Sequence, residues 1–217
     1  MTYYFGDILP YLPLMLKALW VSIYVTLLAF TAGSILGVGL AAAKAGPSKL
    51  LRRLSSAYIE VMRNTPLLVQ LYLIYFGLGQ IGLNFNPLWS ALIGMTLNNS
   101  AYTAEIFRGG FAAIPTGLRE ASSALGMSAV QTFRYIVLKP GLRAVFPALT
   151  NQLIILFLYS SVGSVISLDE LTSALRDLNS QTLRTLEVFT FGAILYYVTS
   201  ALIAASSRLT ERLVFRW

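Results

Sequence analysis

The residues best suited to chemistry are two pairs of opposite charge inside otherwise apolar segments. Glu60 precedes Arg63 by three positions, and Glu105 precedes Arg108 by the same interval. Residues three apart lie on one face of a helix, so each spacing predicts a contact within its helix. A charge at mid-bilayer costs about 2.5–3.5 kcal/mol, so such residues pair or line a wet cavity. Two interpretations follow: structural ion pairs near a helix end, or a charged gate.

The chain lacks the side chains on which most enzymes depend. Its 217 residues include no cysteine and no histidine, which excludes disulfides, thiol nucleophiles, imidazole bases and the commonest metal ligands. No GxxxxGK[ST] run is present, so no phosphate-cradling loop is predicted. We therefore expect no catalytic residue, metal site or cofactor on this chain. A membrane enzyme or an ion-coupled carrier would depend on Glu60 and Glu105, the deep carboxylates.

Hydropathy predicts an all-α membrane protein. The chain is 56% hydrophobic and 12% charged, where a soluble domain is about a quarter charged. A helix needs about 20 apolar residues to cross the hydrocarbon core. Five segments meet this condition, at residues 18–43, 57–78, 88–107, 144–166 and 188–205.

The distribution of basic residues predicts the orientation of these spans. Five spans place the chain ends on opposite sides. One side would carry eleven Lys and Arg residues in its connections and tail, and the other side three. Because basic residues accumulate on the cytoplasmic side, the N-terminus is predicted outside and the C-terminus inside. The connection that contains Glu120 then lies in the cytoplasm.

Polar residues within the spans are candidates for lining a solute path. Pro66 removes an amide hydrogen and frees a carbonyl oxygen one turn earlier, and irregular backbone in a membrane is tolerated where it lines a cavity. The alternative is that these side chains bridge neighbouring helices, at about 0.6 kcal/mol each. The candidates are Thr65, Pro66, Gln70, Asn98, Asn99, Tyr102, Tyr159, Ser160 and Ser161.

Two further patterns concern packing. Gly33 and Gly37 form a small-xxx-small pair that predicts close approach of another helix. Residues 168–184 carry Leu171, Leu175 and Leu178 at helical spacing among polar neighbours, which predicts an amphipathic helix. That helix is either an outer-surface docking element or a solvated connector.

The segment from Arg119 onward resembles a known motif. It reads REASSALGM, and Glu120, Gly126, Ile136 and Leu138 fall in the register of the EAA loop of ABC-transporter membrane subunits. Ser122 replaces an alanine of that motif, and its proline comes one residue late, at Pro140. In the family this loop forms a coupling helix that docks on a cytoplasmic ATPase. The resemblance implies a coupling loop at about residues 113–127, with contacts from Glu120, Ala121, Ser122, Leu125, Gly126 and Met127.

Two more blocks extend the resemblance. Residues 61–70 (VMRNTPLLVQ) and 97–110 (LNNSAYTAEIFRGG) are similar to signatures of the polar amino-acid uptake branch, the histidine, glutamine and glutamate permease-like subunits. This implies one permease domain over residues 1–217 with a type I ABC importer fold, in a bacterial cytoplasmic membrane. It also implies a separate ATPase dimer that binds ATP and Mg, a second membrane subunit, an extracytoplasmic substrate-binding protein and no nucleic acid.

One departure bears on the cargo. Where relatives carry a Leu-Lys-Asp-Thr/Ser-Ser run, residues 157–161 read FLYSS, so Tyr159 replaces the aspartate. A subunit that does not bind cargo tolerates this loss, which favours a heterodimeric pore over a homodimeric one. The alternatives are an importer of another small solute and an ATP-independent channel or carrier.

Overall fold

The computed structural model describes residues 5–215, apart from the side chain of Arg119. Its elements are helices, and no strand occurs within this described range. Arg216 of the predicted cytoplasmic tail lies outside it. The prediction of an all-α chain is confirmed.

The first helix is longer than predicted. A 3₁₀ segment, Phe5–Tyr11, leads into α1, Leu12–Ala45, of 34 residues. At 1.5 Å per residue, α1 extends about 50 Å, which exceeds the hydrocarbon core of about 30 Å. The helix ends at Ala45, with Gly46 as its C-cap, because Pro47 cannot donate a further helical hydrogen bond.

The predicted second span is two helices. The first, α2, is Lys49–Asn64, and the Ser48 side chain caps its start by accepting the Leu51 amide. It stops at Thr65, before Pro66. The second, α3, is Leu67–Tyr72 and continues as a π-helical turn, Leu73–Gly77, and a 3₁₀ turn, Leu78–Ile81.

The predicted third span corresponds to α4, Pro87–Ala112, whose amino end is capped by the Asn86 side chain accepting the Trp89 amide at 2.9 Å. It contacts α1 more extensively than any other pair of elements in the described residues. Its buried face holds Asn98, Asn99 and Thr103. This polar composition is compatible with a membrane because the groups face other helices and not lipid.

The remaining elements complete the chain. A short helix, α5, is Thr116–Ala124. A turn of helix, α6, is Ala129–Gln131, followed by a π-helical segment, Thr132–Val137, and by α7, Leu138–Tyr159. A 3₁₀ segment, Ser160–Ile166, leads to α8, Leu171–Thr182, and α9 is Thr185–Val214.

Three helical stretches within residues 5–215 are long and apolar enough to cross a membrane: Phe5–Ala45, Ala129–Ile166 and Thr185–Val214. They contain the predicted first, fourth and fifth spans. Leu67–Ile81 is apolar but short, because Pro66 separates it from α2.

The two packing patterns are confirmed. A Cβ on Gly33 would lie 2.7 Å from Nδ2 of Asn99, and one on Gly37 would overlap Oγ1 of Thr103, so α4 sits directly on this side of α1. The leucine stripe of α8 is buried in a cluster with Phe157 of α7 and Val188 of α9. The second large cluster joins α1, α3, α4 and α7.

Candidate functional site

The break between α2 and α3 is held by side chains that replace the missing helical hydrogen bonds. A residue other than proline at position 66 would donate its amide to O of Met62, four residues earlier. Nε2 of Gln70 takes this place, lying 3.0 Å from O of Met62 and 2.7 Å from Oγ1 of Thr65. Oγ1 of Thr65 in turn donates to O of Val61 at 2.9 Å.

Asn98 joins α4 to this break. Its Nδ2 donates to Oε1 of Gln70 at 3.1 Å and approaches O of Met62 at 3.4 Å. Among the described residues, Oδ1 of Asn98 is buried without a hydrogen-bond partner. The geometry gives Thr65, Gln70 and Asn98 the bridging role that the sequence left open beside pore lining.

Asn99 and Thr103 attach α4 to α1 on the neighbouring face. Nδ2 of Asn99 donates to O of Phe30 at 3.2 Å, and Oγ1 of Thr103 donates to O of Gly33 at 3.2 Å. Oδ1 of Asn99 accepts from Nε2 of Gln152 on α7 at 3.1 Å. Sequence reasoning missed Gln152, although an amide within the apolar run 144–166 was the available signal.

The serines and tyrosines among the path candidates behave differently. The hydroxyls of Ser160 and Ser161 donate to O of Phe157 and O of Leu158, so both serve their own helix. Tyr102 is half-buried, and Tyr159 is 42% exposed. The two tyrosines are therefore the path candidates with aromatic surface open to a solute, while Pro66 contributes the backbone break.

Of the two predicted ion pairs, one forms. Glu105 accepts from Nε and Nη2 of Arg108 at 2.9 and 2.7 Å, and also from Nζ of Lys44 at 2.7 Å. Lys44 was assigned to the connection after the first span. Its contact with Glu105 ties the end of α1 to α4, which local spacing could not reveal.

The predicted pairing of Glu60 with Arg63 is wrong in this structure, where no ion pair joins them within residues 5–215. The Arg63 guanidinium lies over the Tyr102 ring, 5.3 Å from its centroid, which favours a cation–π contact. Both charges face a cavity of about 400 Å³. Its other lining residues include Lys44, Asn64, Tyr102 and Glu105.

Replacing Gln70 with leucine is expected to destabilise the chain by about 1–3 kcal/mol, because buried partners at Met62 and Asn98 lose their hydrogen bonds. Thermal unfolding in detergent measures this loss. Gln80→Leu is the matched control, since Gln80 is exposed. An unchanged melting temperature for Gln70→Leu would contradict the bridging role.

The loop between α4 and α7 has the backbone of a defined helix terminus. The amide of Gly126 donates to O of Ser123 at 3.0 Å, and the amide of Met127 donates to O of Ser122 at 3.1 Å. This pair of bonds is a Schellman ending, which requires the left-handed φ of +71° at Gly126. Glycine is the residue that adopts such a φ most readily, so the residue type at position 126 suits this ending.

The surface of this loop is divided between packing and exposure. Ser122 is buried and shares a hydrogen bond of 2.9 Å with Thr132 of the π-helical segment, so it faces the loop's interior. Glu120 and Ala121 are exposed. Leu125 is 79% exposed, and Val130 beside it is also exposed. An exposed leucine offers apolar surface that a partner protein can bury.

Over residues 12–216 the chain matches the model of binding-protein-dependent transport system inner membrane components. The chain belongs to this family. YckA, a probable amino-acid ABC transporter permease of Bacillus subtilis strain 168, is 31% identical over 200 residues, 92% of this chain and 88% of the relative. GlnP, a glutamine transport permease of Escherichia coli K12, is 31% identical over 214 residues, 98% of both chains.

The solved structures agree with this family. A chain in the crystal structure of an amino acid ABC transporter with histidines has a TM-score of 0.93 at 36% identity, and the match covers 98% of this chain and 99% of that one. The permease therefore has the type I ABC importer fold. The resemblance based on residues 61–70, 97–110 and 119–140 is confirmed.

Proposed function

We propose that this permease forms part of the pore of an ATP-driven importer for polar amino acids. Membership of the inner-membrane component family supports the importer, and the amino-acid permeases among its relatives support the cargo class. The observation that carries the proposal is the Schellman ending of α5 with its exposed Leu125, in the connection between α4 and α7. A chain that moved solute without a motor would not need such an exposed apolar side chain in this connection.

The proposed topology has five crossings, with the N-terminus outside and the C-terminus in the cytoplasm of a bacterium. The crossings are α1, the α2–α3 unit, α4, α7 and α9. The excess of Lys and Arg beside α5 and at the end of α9 supports this orientation. In the proposed orientation α5 lies in the cytoplasm and α8 lies outside.

Coupling to the ATPase would use the exposed face of α5 and its ending. Glu120, Ala121, Leu125 and Met127 contact the partner in this proposal, while Gly126 sets the turn and Ser122 holds it to Thr132. ATP and Mg bind the separate ATPase dimer, whose closure pushes the loop. The loop then biases the permease between inward-facing and outward-facing states.

The cytoplasmic end of the path is the proposed gate. Glu60 and Arg63 line the 400 Å³ cavity and form no ion pair within the described residues 5–215, which leaves them available to a second membrane subunit. Glu105, held by Lys44 and Arg108, fixes α4 against α1 beside them. Tyr102 and Tyr159 supply aromatic and hydroxyl surface to the path. Tyr159 carries no charge where relatives have an aspartate, and a subunit that does not bind cargo tolerates this loss, so we favour a heterodimer. An extracytoplasmic binding protein would deliver the cargo to this pore.

Charge reversal at Glu120 tests the coupling. Glu120→Lys is expected to reduce ATP-driven uptake by at least about tenfold, equivalent to 1.4 kcal/mol of lost docking, because a cation faces a groove that accepts a carboxylate. The measurement is recovery of the ATPase with tagged permease, beside uptake into liposomes. Asp177→Lys, on an exposed carboxylate of α8, is the control and should retain the ATPase.

Two outcomes would redirect the proposal. Equal ATPase recovery by the Glu120→Lys and wild-type chains would remove α5 from the docking site. Uptake without ATP would replace the importer by a channel or carrier. Competition among polar amino acids and other small solutes during uptake would then identify the cargo class.

A further inference from the structure

A carboxylate with no assigned role lies just before α8. Glu170 is fully buried, although the sequence suggested only a polar neighbour of an amphipathic stripe. A buried charge is costly unless hydrogen bonds compensate it. No ion pair joins Glu170 to a cation within residues 5–215. The compensation therefore comes from neutral donors.

These donors come from three helices. Oε1 of Glu170 accepts the Ser173 amide at 2.9 Å, which caps α8. Oε2 accepts the hydroxyl of Ser22 on α1 at 3.3 Å and the hydroxyl of Tyr196 on α9 at 3.0 Å. One side chain thus connects α8 to α1 and α9.

Neighbouring groups reinforce the connection. Oγ of Ser22 also accepts the Leu171 amide at 3.2 Å, so α1 holds two points at the start of α8. The hydroxyls of Tyr196 and Thr172 share a hydrogen bond of 2.8 Å. Because hydroxyl hydrogens rotate, this network accepts either protonation state of the carboxyl. Burial raises the pKa of Glu170 above its usual value, and the hydrogen bonds from amides and hydroxyls offset only part of this rise.

The rest of α8 packs on α9 with one face and is exposed on the other. Leu175 packs on Gly192 of α9, where a Cβ would overlap its side chain. Arg176 and Asp177 are exposed on the opposite face of α8. Glu170 connects α8 to α1 by a hydrogen bond to Ser22, and α1 is packed on α4, which leads into α5.

We propose that Glu170 is a positioning residue that transmits docking of the binding protein on α8 to α1 and α9. The inference rests on the proposed importer function, and it adds the contact through which docking on the outer side would affect the membrane helices. Because the carboxyl is buried, it acts through the helices that it fixes.

The hydrogen bonds that join Glu170 to Ser22 and Tyr196 are called the Glu170 latch, and this latch can be tested in the full chain without its partners. The chain contains no cysteine, so a pair introduced at Arg176 and Trp20 can be spin-labelled directly in nanodiscs. Glu170→Ala is expected to broaden the distance distribution between α8 and α1. Glu170→Gln keeps an acceptor and a donor and should stay narrow, as should Asp169→Asn, its exposed neighbour. A narrow distribution in Glu170→Ala would overturn the latch.

The signalling role is tested in the complex with its ATPase and binding protein, loaded with mixed polar L-amino acids. Glu170→Ala should lower the ratio of stimulated to basal ATPase rate by at least about fivefold, the lower range of allosteric coupling. Glu170→Gln should preserve the ratio. Equal losses of basal and stimulated rates would reduce Glu170 to a stability element and overturn the proposal. Failure of any ATPase to bind the wild-type chain would contradict the importer function, while the distance measurement would still decide the latch.

Discussion

Gly37→Val is expected to prevent accumulation of folded protein. A Cβ at this position would overlap Oγ1 of Thr103 and lie 3.0 Å from the backbone N of Ala104 and O of Ser100. The two backbone atoms cannot move without separating α1 from α4. Overpacking of this kind costs about 1–3 kcal/mol and more where backbone must shift. The hydrogen bond from Thr103 to Gly33 would be lost as well.

The matched control for this substitution is Gly39→Val in the same helix. No atom lies within 4 Å of a Cβ at Gly39. Both variants add the same side chain to α1, so their difference isolates contact with α4. Size-exclusion chromatography of a fluorescent fusion and the melting temperature of the purified chain measure the effect. Similar yields and melting temperatures for the two variants would show that α1 and α4 do not pack this closely.

Gly126→Val is expected to abolish uptake while leaving a folded permease in the membrane. Valine is strongly disfavoured at φ of +71°, so the Schellman ending would open and Leu125 would change direction. The strain is local, because nothing lies within 4 Å of a Cβ at this position. The expected phenotype is loss of ATPase binding and transport with a melting temperature near that of wild type.

Gly117→Val separates the backbone effect from bulk. Gly117 lies in the first turn of α5, with no atom within 4 Å of its Cβ position and no positive φ. Valine there is compatible with a helix and should retain most uptake. If Gly126→Val also retained transport and ATPase binding, the shape of the α5 ending would not matter for coupling. Uptake by each variant into proteoliposomes with the ATPase measures the contrast.

Local patterns in the sequence were sufficient for the long helices, whereas the helix α5 was expected from the resemblance of residues 119–140 to a family motif. The predicted first, fourth and fifth spans follow from continuous apolar runs. The small pair Gly33 and Gly37 predicted a close contact but not its partner. These features depend on neighbours in sequence, which is why they could be recognised without coordinates.

The misassigned features depend on contacts between distant segments. Arg63 turns to Tyr102 and not to Glu60, since an aromatic face from another helix competes with the neighbour three residues away. Lys44 contacts Glu105, 61 positions away in sequence, and Glu170 contacts Ser22, 148 positions away. For Gln70 and Asn98 the sequence left pore lining and helix bridging open, because the carbonyl oxygen of Met62 that both side chains contact belongs to another helix turn.

The shortness of the apolar segment Leu67–Ile81 has a consequence for the proposed second crossing. Leu67–Ile81 reaches only about 22 Å at 1.5 Å per residue, against a hydrocarbon thickness of about 30 Å. Exposed Leu73 and Phe76 indicate that this helix meets lipid or another subunit. In the proposed five-crossing topology α2 therefore completes this crossing, and the break at Pro66 lies within it. A helix break inside a crossing leaves carbonyl oxygens without intrahelical partners, and the Gln70 side chain satisfies the one at Met62.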